Sequence, residues 1–304
     1  MGFWHNDEKE KWKEFISLIS QETGLNSLMI EKDTLQSYLL DAIFKQESGL
    51  VFKGGTSLSK GYGIINRFSE DIDLALNEKA TNSMKNSLYD TIYKCASDLG
   101  LKLLNEDSIK KRGGFVRYNF EYESLFDENR QSLIIETSFM QRSYPTNMIN
   151  VSSIVSKFCK DNGVSVPVGF ASADITINVQ SLERTFIDKV FAICDYYLGK
   201  DTAKHSRHLY DIAKLAEHLD FDRDYSKLIS EVKEDRSNPK FHNYSAQNNS
   251  DITELLKEII SEEAYKSDYN NVTLNLLYSP IPYDEAIKKG IQVVINKGIF
   301  NKKG

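Results

Sequence analysis

The sequence predicts an α/β (α+β) protein in which helices flank a mixed sheet and a mainly helical lobe follows. The first 180 residues contain several short segments with the two-residue alternation of strands, separated by segments with helical spacing of apolar residues. Beyond residue 180, helical patterns dominate. We therefore expect one domain at residues 1–180 and a helical lobe at 181–304. The predicted strands are Leu50–Phe52, Asp71–Leu76, Gly114–Tyr122, Leu133–Phe139 and Asp174–Val179.

The predicted helices before the sheet and over it follow from apolar spacing. Residues near 7–22 and 31–47 form two helices in this interpretation, and the second leads directly into the first strand. A third helix runs from Asn82 to Leu99, where Gly100 is a natural stop. We expect this third helix to cover the sheet.

The composition limits the kind of partner that the chain can have. A net charge of −6 and a pI near 5.5 exclude a surface coated with positive charge, so a nucleic acid would have to bind at a local patch. Lys110, Lys111, Arg112 and Arg117 are the best candidates for such a patch, with a solvated hairpin tip as the alternative.

The remaining composition predicts a cytoplasmic protein without a membrane partner. The N-terminal residues contain no apolar signal core, and no apolar run approaches the length of a membrane span. The three cysteines lie far apart and have no metal-ligand spacing, so we expect reduced thiols in the core.

A glycine turn follows the first predicted strand. Gly54 and Gly55 can adopt positive φ and let backbone N–H groups approach an anion, and the Thr56 and Ser57 hydroxyls add further donors. This segment therefore predicts a phosphate-binding turn. It lacks the spacing of a Walker loop.

Two carboxylates follow on the next predicted strand. Asp71 and Asp73 alternate with apolar residues, so both project from one face of that strand. Because like charges so close repel, a hard cation such as Mg²⁺ would neutralise them, and a triphosphate would supply further oxygen ligands. The alternative is a solvated strand face.

Together the two segments resemble a known family. Lys53–Lys60, with Arg67–Asp73 after it, is similar to the AbiEii-type nucleotidyltransferase toxins of abortive-infection and type IV toxin–antitoxin systems, which belong to the polymerase β-like superfamily. The resemblance implies that superfamily's mixed sheet. It also implies transfer of a nucleoside monophosphate from a nucleoside triphosphate to a hydroxyl, with Mg²⁺ or Mn²⁺ as cofactor, the 3′ end of a tRNA as acceptor and a separately encoded antitoxin as partner.

The resemblance also implies roles for individual residues. Asp71 and Asp73 would bind metal, and Glu136, which interrupts an apolar strand, would be a third carboxylate, with a solvent-facing glutamate as the alternative. The implied nucleotide-binding residues are Lys53, Gly54, Gly55, Thr56, Ser57, Lys60, Arg67, Ser69 and Lys189.

Two further motifs lie in the predicted helical lobe. Leu182–Lys189 resembles the family motif whose lysine contacts the nucleotide phosphates, and Arg207–Asp211 resembles its last motif, with Asp211 as a catalytic residue. His208 departs from the acidic residue usual at that position. From spacing alone, Lys189 could instead pair with Asp211. The spacing of Arg207 and Asp211, four residues apart on a helix, predicts an exposed ion pair.

Two other functions fit the same residues. The nucleotide could be transferred to a protein hydroxyl, or the pocket could bind a nucleotide for regulation without transfer.

Overall fold

The computed structural model describes residues 8–76, 80–109, 113–165, 174–239 and 243–301. It confirms the predicted fold class, because helices accompany a seven-stranded mixed sheet. The predicted basic residues Lys110, Lys111 and Arg112 lie outside the described residues. The strands are β1 (Leu50–Lys53), β2 (Asp71–Leu76), β3 (Lys102–Leu103), β4 (Phe115–Tyr122), β5 (Gln131–Ser138), β6 (Thr146–Val151) and β7 (Ile175–Gln180). The helices are α1 (Lys9–Thr23), α2 (Ser27–Gln46), α3 (Gly54–Ser57), α4 (Asn82–Asp98), α5 (Ile154–Asp161), α6 (Leu182–Leu198), α7 (Arg207–Ala216), α8 (Ser226–Arg236), α9 (Tyr244–Gln247), α10 (Ile252–Ser261), α11 (Lys266–Asn271), α12 (Tyr283–Lys289) and α13 (Ile291–Lys297).

The sheet has the strand order β3-β4-β5-β2-β1-β7-β6. Strand β2 runs antiparallel to β1 and parallel to β5, while β4 is antiparallel to β5. Strand β7 pairs in parallel with the other side of β1. The two strands that carry the predicted glycine and aspartate motifs are therefore direct neighbours.

The chain forms two compact units. The first comprises Met1–Tyr62, Ser69–Met140 and Thr146–Val179, and the second comprises Gly63–Phe68, Gln141–Pro145 and Gln180–Gly304. Two short early segments therefore join the helical unit. Whether residue 180 divides two functional domains stays a prediction.

In the first unit, one face of the sheet is buried. Along β4, Val116, Tyr118 and Phe120 are each at most 4% exposed, whereas the residues between them are more accessible. Ile135 of β5 and Ile72 of β2 continue this apolar face. The opposite face, which carries the remaining residues of these strands, is free to hold polar side chains.

In the second unit, α6 begins at a serine cap and packs beside α7. The Ser181 hydroxyl accepts a hydrogen bond from the N–H of Arg184 at 3.2 Å, as N-caps do. Gly290, between α12 and α13, lies so close to the backbone of Ala213 that a Cβ at position 290 would stand 2.9 Å from the Ala213 nitrogen. A glycine there lets α7 approach its neighbours closely.

No helix in the described segments combines the length and the apolar character that crossing a membrane requires.

Candidate active site

The glycine turn and the aspartate strand meet at Gly54. Strand β1 ends at Lys53, which pairs with Asp73 of β2, and Gly54 then turns the chain with a φ of +74°. A Cβ at Gly54 would overlap the Asp73 carboxylate. Only glycine meets both conditions, since it tolerates this φ and leaves room for the carboxylate. A helical turn begins at Gly54 and ends at Ser57, and a π-type turn follows over Leu58–Tyr62.

Three acidic residues occupy one face of two adjacent strands, as predicted. Asp71 and Asp73 alternate with the fully buried Ile72 and Leu74, and Glu136 of β5 lies directly beside Asp73 in the parallel pairing. We call the sheet face that carries Asp71, Asp73 and Glu136 the acid face.

Arg117 extends the acid face onto β4. It lies opposite Glu136, and its Nη1 is 3.1 Å from Glu136 Oε1. Within the described part of the chain, no three His, Cys, Asp or Glu side chains form a group suited to a metal ion. The place of Glu136 as a third metal ligand therefore stays a prediction, while Asp71 and Asp73 offer the hard oxygen donors that a divalent cation prefers.

The Thr56 and Ser57 hydroxyls hold the turn itself. Thr56 Oγ1 donates to the carbonyl oxygen of Asp71, and Ser57 Oγ donates to the carbonyl oxygen of Gly54 at 2.9 Å. Both residues are buried. Contrary to the prediction from sequence, these hydroxyls are not presented to a phosphate, which leaves the backbone N–H groups of the turn as the candidate donors.

Lys60 has a structural task in place of the predicted nucleotide contact. Its Nζ donates to the Asp33 carboxylate, to the Asp33 carbonyl at 2.9 Å and to Ser37 Oγ at 2.7 Å. Burial lowers the pKa of Lys60, and the neighbouring Asp33 charge partly opposes that effect. All three ammonium protons are used, so none remains for a phosphate.

Helix α2 holds the backbone segment that leads into β2, a contact that the sequence did not predict. Gln36 is 1% exposed, and its Nε2 donates to the carbonyl oxygens of Ser69 at 3.3 Å and Glu70 at 2.9 Å. With Thr56 bound to the next carbonyl, three successive carbonyls up to Asp71 are held by side chains. A nucleotide contact by the Ser69 side chain stays a prediction. The available signal was the number of polar residues in a helix that also carries the core residues Leu35 and Leu39.

In the second unit, Asp211 is completely buried between two cations. Arg67 donates from Nε to Asp211 Oδ1 at 2.7 Å and from Nη2 to Oδ2 at 2.8 Å, and Lys189 Nζ lies 2.7 Å from Oδ2. The interpretation of Asp211 as an exposed partner of Arg207 is therefore wrong. The predicted nucleotide residue Arg67 also donates from Nη1 to the carbonyl of Phe68 at 3.0 Å, and its contact with a nucleotide stays a prediction.

In this buried cluster the Arg67 and Lys189 side chains share the single carboxylate of Asp211. Burial would raise the pKa of Asp211, but the Arg67 and Lys189 charges outweigh it and hold the pKa well below its usual range. Burial lowers the pKa of Lys189, against the attraction of Asp211. Burial, and then the Lys189 charge, hold the pKa of His208 well below 6.5. With His208 neutral, its Nδ1 lies 3.4 Å from Lys189 Nζ.

Comparison with known families decides the assignment. The family described as the nucleotidyl transferase AbiEii toxin of type IV toxin–antitoxin systems matches residues 38–289, which is well over half of the chain. The chain belongs to the AbiEii family. The match includes the glycine turn, the acid face and the Asp211 cluster. The protein is thus a nucleotidyltransferase toxin of a type IV toxin–antitoxin system, a class that uses a nucleoside triphosphate and has an antitoxin partner.

Solved structures agree with this AbiEii fold. The nucleotidyltransferase toxin MenT4 from Mycobacterium tuberculosis H37Rv is 16% identical with a TM-score of 0.58, and the alignment covers 95% of this chain and 90% of MenT4. A Helicobacter pylori protein proposed to be a nucleotidyltransferase is 21% identical with a TM-score of 0.51, with 92% of this chain and 100% of that one covered. At these identities the likeness concerns the fold alone. No curated protein matches the chain by sequence.

Proposed function

We propose that this AbiEii-family enzyme transfers a nucleoside monophosphate from a nucleoside triphosphate to a terminal hydroxyl of RNA, with the 3′ end of a tRNA as acceptor. The contact between Gly54 and the Asp73 carboxylate is the observation that carries the proposal. It joins a turn with backbone donors suited to phosphate to carboxylates suited to a divalent cation. Growth inhibition, relieved by the antitoxin, would follow from modification of the tRNA.

Asp71 and Asp73 would hold the divalent cation, for which we propose Mg²⁺, with Mn²⁺ as a substitute. The two side chains fit a cation because like charges on one strand face favour a bound positive charge, and the missing side chain of Gly54 leaves room for the Asp73 carboxylate at the turn. When bound, the cation neutralises negative charge on the phosphates and the attacking oxygen.

The residues of the acid face then have distinct tasks. Backbone N–H groups at Gly54 and Gly55 orient the β- and γ-phosphates, and Lys53 lies opposite Asp73 to add positive charge. The acceptor oxygen forms a bond to the α-phosphorus while the bond from that phosphorus to the bridging oxygen breaks, and pyrophosphate leaves. The hydroxyl proton passes to the Glu136 carboxylate in this proposal.

A phosphate contact by Lys189 is a separate proposal within the helical unit. The Arg67 and Lys189 side chains share the single carboxylate of Asp211, and an anionic ligand would give Lys189 a second negative partner. The alternative is that Lys189 only stabilises Asp211.

The test is transfer from labelled nucleotides. Purified protein is incubated with Mg²⁺, each labelled nucleoside triphosphate in turn, and either tRNA or cell protein. We expect label in RNA, and loss of at least 10²-fold of the rate in Asp71→Ala and Asp73→Ala with unchanged melting temperature, as removing one of two repelling charges rarely destabilises a fold. The exposed Asp161→Ala is the matched control and should transfer normally.

Other outcomes would contradict the proposal. Label in polypeptide would replace RNA by a protein acceptor, and saturable nucleotide binding without any transfer would exclude the reaction. Full activity in either aspartate variant would refute the metal-binding assignment.

A further inference from the structure

We propose that the acid face extends onto β4 as the binding site for the acceptor strand, in which Phe115 stacks on a base and Arg117 binds a phosphate near the reacting hydroxyl. This inference rests on the proposed function and adds the location and the residues of the acceptor site. It also favours a single-stranded nucleic acid end over a protein as acceptor.

The direction of attack locates this site on the sheet. In phosphoryl transfer the attacking and leaving oxygens lie roughly in line, on opposite sides of the phosphorus. The glycine turn that would hold the leaving pyrophosphate follows β1, and the strand order continues from β1 through β2 and β5 to β4. The acceptor hydroxyl must then approach from the side of β5 and β4.

Strand register puts Arg117 and Phe115 on that side. Arg117 pairs with Glu136, and Glu136 pairs with Asp73, so these three residues form a row across the sheet. Phe115 is two residues before Arg117 and therefore points to the same face, opposite Ser138. Their β4 neighbours Val116 and Tyr118 face the core instead.

The exposure of these two side chains is not required by the fold. Phe115 is 47% exposed, although Val116 and Tyr118 beside it are 4% and 1% exposed. The Arg117 side chain is 48% exposed, so its pair with Glu136 contributes little to stability and can exchange for another anion. Burying Phe115 against a ligand would recover apolar area that folding leaves in water.

The chemistry of the pair fits a single strand with free bases. A flat aromatic side chain offers a stacking surface to any base, and a guanidinium binds a phosphate through parallel hydrogen bonds. A protein hydroxyl acceptor offers neither a base nor a phosphate. An acidic protein with pI near 5.5 also needs a local contact of this kind to hold a polyanion.

The test separates acceptor binding from nucleotide binding. Phe115→Leu keeps apolar volume but removes the flat ring, and Phe115→Trp keeps a ring. Tyr93→Leu on α4, where Tyr93 is 41% exposed, is the matched control. For each variant, KM is measured for the nucleotide, for tRNA and for a short single-stranded oligoribonucleotide. We expect Phe115→Leu to raise the KM of both RNAs about tenfold without changing the KM of the nucleotide, and Phe115→Trp to restore it.

Arg117→Gln provides an independent variant, with Arg130→Gln as its control because the Arg130 side chain is 51% exposed and also pairs with an acid. We expect Arg117→Gln to weaken RNA binding and to reduce the slope of log affinity against log salt by about 1, and Arg130→Gln to change neither.

The results that would overturn the inference differ from those that would overturn the proposed function. Unchanged RNA KM in Phe115→Leu, an equal rise in nucleotide KM, or label in protein with the wild-type chain would each refute the acceptor site. Absence of transfer by the wild-type chain to any acceptor would refute the reaction itself before a variant is compared.

Discussion

At the scale of single residues, Gly54 lets the phosphate-binding turn lie directly against the carboxylate of Asp73. Its backbone is left-handed, and the space over its Cα belongs to the Asp73 carboxylate. We expect Gly54→Ala to lose stability by about 1–2 kcal/mol from the backbone conformation alone, and to lose transfer because the new methyl group displaces Asp73. Urea denaturation and the labelled-nucleotide assay measure the two effects.

Gly49 offers a matched control for this substitution. It has the same φ of +74°, but a Cβ there meets no atom within 4 Å. Gly49→Ala should therefore show the backbone cost and retain full transfer. If both variants transfer equally well, the contact with Asp73 does not matter for the reaction.

The residue scale also shows what a sequence can predict about this site. Alternation along the chain was enough to put Asp71 and Asp73 on one face of β2, because strand geometry is local. Glu136 lies beside them through the pairing of β5 with β2, and only the family resemblance indicated it. The partners of buried charges could not be predicted in this way. Lys60 bonds to Asp33, 27 residues earlier, and Arg67 bonds to Asp211, 144 residues later. Such pairs depend on tertiary packing, which spacing does not encode.

At the scale of elements, helices α6 and α7 are joined by the pair of Lys189 and Asp211. Asp211→Asn leaves two buried cations without their carboxylate and should lower the free energy of unfolding by roughly 3–5 kcal/mol. Lys189→Met keeps the apolar stem and leaves the two hydrogen bonds between Arg67 and Asp211. It should therefore lower the free energy of unfolding clearly less than Asp211→Asn does.

Equilibrium denaturation of both variants checks this order. An equal loss of stability would mean that Lys189 is an obligatory part of the cluster. If Lys189→Met is stable yet needs more nucleotide for half-maximal transfer, its proposed phosphate contact is supported; an unchanged nucleotide requirement returns Lys189 to a structural role.

Helix α2 also shows that spacing predicts which residues are buried but not which partners they bind. Its apolar residues, including Leu35, Leu39 and Ile43, were predictable from helical spacing and are buried. The helix also buries Asp33 and Gln36, which hold the segments around the acid face. Helical spacing identifies the buried face of a helix but not the backbone carbonyls that its polar side chains reach.

At the scale of the whole molecule, stability should fall in mild acid. The pKa of His208 is lower in the folded protein than its ordinary value of about 6.5, so the unfolded chain binds more protons below that pH. The stabilising contribution is thus present above about pH 6.5 and is lost as the pH falls. The melting temperature should fall as the pH is lowered from 7.5 to 5.5, and the melting temperature of His208→Gln should fall less steeply.

The exposed His218→Gln is the control for this pH dependence, and it should follow the wild-type curve. An identical slope for wild type and His208→Gln would mean that other groups cause the decline.

The fold class was predictable at this scale because strand and helix periods differ over long segments. The predicted division at residue 180 stays a prediction, and the second compact unit also includes Gly63–Phe68 and Gln141–Pro145. Segments that short leave no periodic signal, and Arg67 in the first of them is held there by the distant Asp211.

The overlap between a side chain at position 54 and the Asp73 carboxylate has a consequence for descent. A lineage that loses Asp73 also loses the steric obstacle to a larger residue at position 54, so a second substitution there would cost only the strain of the left-handed backbone. Once it is fixed, returning the aspartate alone would recreate the collision. Loss of activity by that route would be hard to reverse, because two simultaneous substitutions would be needed to restore the site.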